Sequence, residues 1–503
     1  MPPWQYRNKH RLFEIKDTRE FGVHIYGAPR GTISFLQAAW IYDPSTIDRS
    51  LLHDGSGDEP GVKDDDGKWD TRPHRARITH VDWKVLSGWA DLLDEPGTHF
   101  DQARAIFPVN SSTAIVLEKI ASAPRLGALD FHWTPGWHET GDRQKGYFER
   151  RPGFAGSWQD VILQGPHLSA GTALFQQPNP TAKNHQDYKP IDLEEITENF
   201  IPRTKYQRAS SVSAYREAYT QWNGHPSCDD FRLSWRAMAD PATARTLHSA
   251  IIPPGPSHVL GIFSLTVEDP LDLAVSAATT SSLIADFFIK VTTVANIKIG
   301  VLSKLPHVRG HALEQEIVLR TLRLNCLVRP YAPLWNTLHS AEWKNDRWVP
   351  GAGTAYRDRS EVGEITSSWQ YDTPLRRPAD RRQALIEIDA IVAIMLGFTA
   401  DELAAVYRTQ FPILRQNERR LRFDSFGREV PAELVKELDK EASGGHKIHT
   451  LQAPDRTYVG PFFAVDRERD LRLAHEHFSR LVAARQSQSP DVAGKIGRGV
   501  DTA

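Results

Sequence analysis

Residues 125–270 carry no long helical period, and this constrains the chain more than any other feature. The stretch is rich in Gly, Pro, Trp and Ser. Such composition favours short strands and turns over helices, so the segment reads as an irregular β-rich domain. The last third is its opposite. Residues 380–396 place Leu385, Ile388, Ile391, Val392 and Met395 on one helical stripe. Gly397 stands where a C-terminal cap belongs, and Thr399-Ala-Asp-Glu402 is a capping box that starts a second helix at once. That helix carries Leu403, Val406 and Tyr407 and stops before Pro412. A final helix over about 467–485 repeats Leu471, Ala474, Phe478 and Leu481. The fold class that follows is α+β.

Between these regions the signals are shorter. Arg11–Ile15 and Phe21–Gly27 read as strands. Residues 42–76, with Asp64-Asp65-Asp66, read as a solvated acidic excursion. A helix over about 112–122 is capped by Ser111 or Ser112 and stopped by Pro124. Residues 281–290 fit one short helix. Val294–Leu302 is a β-branched run leading to Lys304-Leu305-Pro306, and a helix follows from about His311 to Leu327, ended by Pro330. The expected units are 1–124, 125–310, a linking helix within 311–345, 346–486 and a polar, disordered tail over 487–503.

Charge and cysteine content exclude some classes. The 503 residues hold 61 Lys and Arg against 63 Asp and Glu, a net charge of −2. This is not a small, strongly basic nucleic-acid binder, although a local patch suffices to meet phosphates. Cys228 and Cys326 form no CxxC pair. His225 and Cys228 have metal-like spacing but no second pair, so they read as a loop histidine beside a semi-buried cysteine. Residues 1–25 lack the apolar core of a secretory signal, and no run approaches the roughly 18 apolar residues of a membrane span. A cytoplasmic, reduced protein is expected, with no membrane partner.

The sequence carries none of the common catalytic motifs. There is no Gly-rich turn of the kind that lets a backbone approach S-adenosylmethionine, no P-loop and no GxSxG elbow. Met1-Pro2-Pro3-Trp4 resembles an Asn-Pro-Pro-aromatic methylase loop, but a thioether replaces the amide acceptor that the chemistry needs. Ile252-Pro-Pro-Gly255 lacks both acceptor and aromatic. Pro253-Pro254-Gly255 instead reads as a rigid turn ending a strand.

Four stretches, in this order, resemble the C-terminal half of large type IIG-like restriction-modification adenine methylases, including those of the BREX and DISARM phage-defence systems. They are Leu12-Phe-Glu-Ile15 with Phe21-Gly-Val-His-Ile-Tyr26; Leu233-Ser-Trp-Arg-Ala-Met-Ala-Asp240 with Ala244-Arg-Thr-Leu247 and Ala250-Ile-Ile-Pro-Pro-Gly255; Asn296-Ile-Lys-Ile-Gly-Val-Leu-Ser-Lys-Leu-Pro306; and Arg382-Gln-Ala-Leu-Ile-Glu-Ile-Asp389 continuing through Leu396-Gly-Phe-Thr399 to Tyr407–Arg415. The resemblance implies the end of a methyltransferase sheet, an irregular β-rich target recognition domain and a C-terminal helical module. It also implies that the cofactor and catalytic motifs of the family lie before residue 1. Sequence-specific recognition of double-stranded DNA is then expected of this chain. It would bind no cofactor itself and carry no catalytic residue, while a separate chain would supply S-adenosylmethionine chemistry.

Local charge supports that expectation. Residues 201–260 hold seven Lys and Arg against four Asp and Glu, and residues 290–330 hold seven against two. Arg232, Arg236 and Arg245 are the leading candidates for DNA contact, because Arg can pair bidentately with guanine or clamp phosphate. The competing reading for Arg236 and Arg245 is a salt bridge to Asp240. Trp235, alternating with Arg236, reads as core. His258, Lys298 and Lys304 are candidate phosphate contacts, with plain solvent exposure as the alternative. Arg376, Arg377, Arg381 and Arg382 precede a helix start, where they oppose the helix dipole, and this points to an anionic partner. Arg415, Arg419 and Arg420 form a similar group. Two other readings compete. One is an inactive fragment of a truncated methylase gene. The other is a carbohydrate-active protein stacking sugars on Trp133, Trp137 and Trp158, with Glu139 and Asp142 nearby.

Overall fold

The structure is a computed structural model that describes residues 4–24, 27–28, 31–184, 186–240, 243–292, 295–349, 365–443 and 448–488. Helices and several small sheets make up a mixed α and β protein. Near the N-terminus four strands lie in the order Glu20–Val23, Trp4–Arg7, Ser34–Ile41, Thr79–Asp82. The pair Trp4–Arg7 and Ser34–Ile41 is parallel; the two outer pairs are antiparallel. The expected strand at Arg11–Ile15 does not form. Asn8 is fully buried, and its amide nitrogen donates to the carbonyls of Phe13 and Ile15 at 2.9 and 2.8 Å while its Oδ1 accepts from the Phe13 amide at 3.0 Å. One side chain thus satisfies the loop polar groups that a ladder would otherwise have paired. The helix Ser111–Ser122 starts one residue earlier than the serine caps allow. Asn110 accepts from the Thr113 amide at 2.9 Å and closes a reciprocal box with it.

The acidic excursion is solvated at Asp58 and Asp65, as expected, but it is also docked on the C-terminal helices. It contains a helix, Ser45–Leu51. Its Val62 amide donates to the Thr409 carbonyl at 2.9 Å. Asp58 pairs with Arg408 at 2.9 Å, and Asp65 pairs with Arg419 at 2.9 Å and with Arg415. Helices Ala400–Gln410 and Pro412–Arg420 therefore supply the countercharge that the local sequence lacks. A Cβ on Gly61 would lie 2.8 Å from the Thr409 backbone. Gly61→Ala should therefore unseat this segment, costing about 1–3 kcal/mol as overpacking does. Thermal unfolding would read the cost, and limited proteolysis should show faster cleavage between residues 54 and 68.

The 125–270 region is β-rich, as its composition predicts. Its central antiparallel sheet has the order Ser249–Ile252, Arg232–Arg236, Ile262–Val267, Phe131–Thr134. Gly255, at φ +115°, turns the chain directly after the first of these strands. A separate two-stranded ribbon pairs Phe148–Phe154 with Arg203–Arg208, and a short hairpin pairs Gln176–Pro178 with Tyr188–Pro190. Helix Pro270–Ser281, unforeseen in sequence, runs straight into Leu283–Val291, and both are buried. No single described helix is long and apolar enough to cross a membrane. The β-branched run before Lys304 forms no strand among the described residues. It makes an isolated bridge, Met238 to Asn296, and then a short helix, Ile299–Leu302.

The C-terminal helices follow the periodicity closely: Glu314–Asn325, Pro378–Met395, Ala400–Gln410 and Arg467–Gln488. Thr399 and Glu402 form the expected capping box. One apolar core runs from Val81 through Leu233, Trp235 and Leu273 to Ile391 and Phe478, so the expected boundaries near 124, 310 and 345 do not separate independent cores. Residues 350–364 of the expected helical module and 489–503 of the expected tail lie outside the described residues; Ser487 and Gln488 end the last helix.

Buried ion pairs bind the helices to one another. Arg382 reaches Glu418 at 2.7 Å and Asp470 at 2.6 Å; Arg467 reaches Glu418 at 2.8 Å and Asp389 at 3.2 Å. Asp389 also accepts from the Leu283 amide at 2.7 Å. Burial pushes the Asp389 carboxyl up to about 6, against the pull of Arg245 and Arg467.

Candidate nucleic-acid interface

The central strand Arg232–Arg236 presents Arg232, Ser234 and Arg236 to one side and Leu233 and Trp235 to the other, as alternation requires. Trp235 is core, and its indole donates to the Ile297 carbonyl at 2.7 Å. The arginine side is covered as well. Tyr219, part of a second aromatic cluster with Trp137, Phe148, Tyr206 and Tyr215, lies against Arg232, and the Phe175 ring lies 6.0 Å from the Arg236 guanidinium. Arg232 is 1% exposed and donates to the Pro256 carbonyl. Arg236 donates to the Leu168 carbonyl, and burial brings its guanidinium down to about 10. Arg245 pairs with buried Asp286 at 3.1 Å, not with Asp240, and donates to the Ser281 carbonyl. His258 is fully buried against Ser264 at 2.8 Å. In this fold Arg232, Arg245 and His258 are internal groups, and Arg236 is a half-buried tether; none is presented to a duplex. The linear charge surplus misled because a run of arginines says nothing about which face is covered.

The surplus at 290–330 is used in the same way. Arg320 pairs with Asp346 and Glu387, both at 2.5 Å; Arg309 pairs with Asp269, Asp272 and Glu314; Arg329 pairs with Glu198. Lys304 is half-buried and donates to the carbonyls of Leu93 and Asp94. Lys298 alone of this group stays exposed without an ion pair among the described residues.

The cluster before the long helix is structural too. Arg376 stacks over Tyr371 at 4.0 Å and donates to the carbonyls of Leu193 and Leu327 at 3.1 and 3.0 Å. Arg377 is half-buried, 3.5 Å from Glu194. Arg381 donates to the carbonyls of Leu324 and Leu375 at 2.9 Å and of Gly171 at 3.1 Å, and burial lowers its guanidinium to about 9. Leu324 lies in the last turn of helix Glu314–Asn325. The negative end of that helix offsets the cost of placing Arg381 at the positive end of its own. An anionic partner is not needed to explain these arginines.

The exposed cations lie elsewhere, on the ribbon Phe148–Phe154/Arg203–Arg208 and the hairpin beside it. Arg150 ties the two by donating to the Ala182 carbonyl at 2.7 Å, and Arg203 does so through the Pro178 carbonyl at 3.0 Å. Arg203 also lies over the Phe154 ring at 4.7 Å, and Phe154 is 57% exposed. Arg151, Lys183 and Lys189 are exposed around them. Arg150, Lys183, Lys189 and Arg203 have no carboxylate within ion-pair distance among the described residues, and Arg151 has only Glu149, at 4.0 Å. Of the acids in the same stretch, Asp192 and Glu194 pair with Arg456 and Arg428 and Asp160 pairs with Arg208, while Asp187 accepts from the Lys183 amide at 2.8 Å and Glu149 stays exposed on the ribbon itself. The result is a cationic, aromatic-edged ribbon that the sequence reading passed over. Its one local signal was Glu149-Arg-Arg-Pro-Gly-Phe154, two arginines and a turn between aromatics.

The remaining candidates carry no separate chemistry. Trp137 and Trp158 are buried, so they offer no stacking platform for sugars; Trp133 is exposed. Glu139 accepts from the Tyr206 hydroxyl, and Asp142 pairs with Lys145 at 3.0 Å. His225 is bound to Asp230 at 2.9 Å, and Cys228 is buried.

Burial gives His258 a measurable signature. Desolvation, aided by the Arg232 charge, pushes its imidazole down to about 3. An unfolded imidazole titrates near 6.5, so between these values the unfolded chain holds the additional proton. Stability is therefore full above about 6.5 and falls as pH drops through the window. From pH 7 to pH 5 the loss from this group is about 2 kcal/mol. Urea unfolding at the two pH values should show it, and His258→Gln should remove that part of the pH dependence. No protein-family model and no curated protein matches the chain.

Proposed function

We propose that this chain recognises double-stranded DNA as part of an adenine-specific methylation system of the restriction-modification or phage-defence type. The order and spacing of the four sequence stretches support that reading. The single structural observation that carries it is the ribbon surface, where Arg150, Lys183, Lys189 and Arg203 lack carboxylate partners beside an exposed Phe154. Two-stranded ribbons enter DNA grooves, and unpaired cations meet phosphates. The N-terminal sheet is the end of a methyltransferase sheet in this reading, and residues 125–310 are the target recognition domain. The residues at hand do not fit S-adenosylmethionine. The chain has no Gly-rich turn after a strand, and Trp4 opens a strand paired on both sides instead of a rigid acceptor loop. A separate chain therefore supplies cofactor and catalysis, and no catalytic step is assigned here.

The test is a fluorescence-anisotropy titration of a random-sequence duplex at about 50 and 200 mM salt. Binding should weaken by a factor on the order of 10³ between them if several phosphates are contacted. No binding at the lower salt would overturn the reading for the isolated chain and leave an inert fragment.

A further inference from the structure

Arg232 has an unusual environment for a buried cation. Its Nη2 is engaged by the Pro256 carbonyl and the Tyr219 hydroxyl lies beside the guanidinium, but Nε and Nη1 have no hydrogen-bond partner of good geometry. Among the described residues no carboxylate pairs with it. The two nearest in sequence are taken: Asp229 by Arg216 at 2.5 Å and Asp230 by His225 at 2.9 Å. Arg381, which also lacks a carboxylate partner among the described residues, is different, because three carbonyl oxygens receive its donors.

Arg232 lines a cavity of about 30 Å³. Two further orphan polar atoms belong to residues of the same wall: the indole Nε1 of Trp222 and the hydroxyl of Ser227, itself 4% exposed. Trp222 is fixed by stacking on His132, with ring centroids 4.5 Å apart. Of the other hydroxyls of the wall, Thr134 bonds Thr220 and Ser264 bonds His258, while Thr266 is left to turn toward the cavity or away from it. A guanidinium and an indole N–H have no lone pair to offer. The cavity is therefore walled by a full positive charge and an indole N–H, neither of which can accept, and by the Ser227 and Thr266 hydroxyls, which can turn to donate, so an acceptor satisfies it best.

We propose that this cavity is a binding site for one small monovalent inorganic anion, chloride in the first instance. Its volume exceeds the roughly 10–15 Å³ that one water needs. Water alone would receive the hydrogens but leave the Arg232 charge uncompensated in the interior, where an unpaired charge is costly. A divalent anion would exchange one uncompensated charge for another. A single negative charge closes both accounts, electrostatic and hydrogen-bonding. The site is independent of any role in DNA binding, because it lies on the covered side of the central sheet.

Thermal unfolding of the full chain tests this at fixed ionic strength, with sodium gluconate exchanged stepwise for sodium chloride or bromide. The melting temperature should rise by a few degrees and saturate, as a ligand bound only by the folded state requires. Arg232→Met should abolish the halide dependence. Trp222→Phe keeps the ring and deletes one donor, and should raise the half-saturating halide concentration on the order of tenfold, the worth of one good hydrogen bond. Should Arg232→Met fail to fold, Trp222→Phe and Ser227→Ala carry the test by themselves. An equal melting temperature in gluconate and halide would overturn the proposal. So would a half-saturation that neither Trp222→Phe nor Ser227→Ala moves.

Discussion

Arg320→Met should cost about 3–5 kcal/mol of folding stability, the range expected when one partner leaves a buried charge network. Arg320 is 1% exposed and sits between three elements. Its Nε reaches Glu387 at 2.5 Å on helix Pro378–Met395, its Nη1 and Nη2 reach Asp346 at 2.5 and 3.1 Å, and Nη1 also donates to the Glu316 carbonyl at 2.9 Å. Burial opposes the guanidinium charge, but Asp346 and Glu387 outweigh it and hold the group firmly protonated. Glu387 in turn accepts from the Val349 amide at 2.9 Å and from Gln383 at 2.7 Å. Methionine fills most of the space and removes the charge, so two carboxylates are left in the core with no cation. The loss comes from those orphans more than from the contacts themselves. Arg320→Met combined with Asp346→Asn and Glu387→Gln should therefore recover most of it. Urea unfolding of the three proteins reads the difference. A single-variant cost below about 1 kcal/mol would mean that water reaches the network and screens it.

The same residues show what a sequence can and cannot reveal. Leu385, Ile388, Ile391 and Val392 repeat at helical spacing, and Thr399 with Glu402 forms a local box, so the helices they specify were legible. Those signals depend only on neighbours within one or two turns. Arg320, Arg381 and Arg382 were legible as charges but not as partners, because many of their partners lie far off, from 26 residues for Asp346 to 210 for Gly171. Asp65 is exposed as its sequence suggests, but its partners were not legible for the same reason: Arg415 and Arg419 lie about 350 residues on. At the candidate interface the error ran the other way. Arg232 and Arg236 stand in an alternating strand, which correctly put them opposite Trp235. Alternation cannot say whether the opposite face is open, and here Tyr219 and Phe175 lie over it. The ribbon was overlooked because its cations, Arg150, Arg151, Lys183, Lys189 and Arg203, are scattered over more than 50 positions and meet only through two strand pairings.

Replacing Arg151, Lys183 and Lys189 together by Gln should weaken binding to random duplex DNA by about 10²-fold at 50 mM salt. The slope of log affinity against log salt should become shallower by about 3, roughly one unit for each phosphate contact removed. These three side chains are exposed and hold no described element in place, unlike Arg150 and Arg203, whose donors secure the hairpin to the ribbon. Their removal should leave the urea midpoint unchanged within about 0.5 kcal/mol of stability, as surface substitutions do. A loss of affinity could also follow from lowering the net charge alone, since the protein as a whole is close to neutral. The control is Lys16→Gln with Arg75→Gln and Lys84→Gln, three exposed cations of the N-terminal sheet region and the same change in charge. If the ribbon is the interface, the control protein keeps its affinity and its salt slope while the ribbon variant loses both. Equal losses would make the attraction a property of the whole surface. Unchanged binding in the ribbon variant would move the interface elsewhere, with the exposed Lys298 next in line.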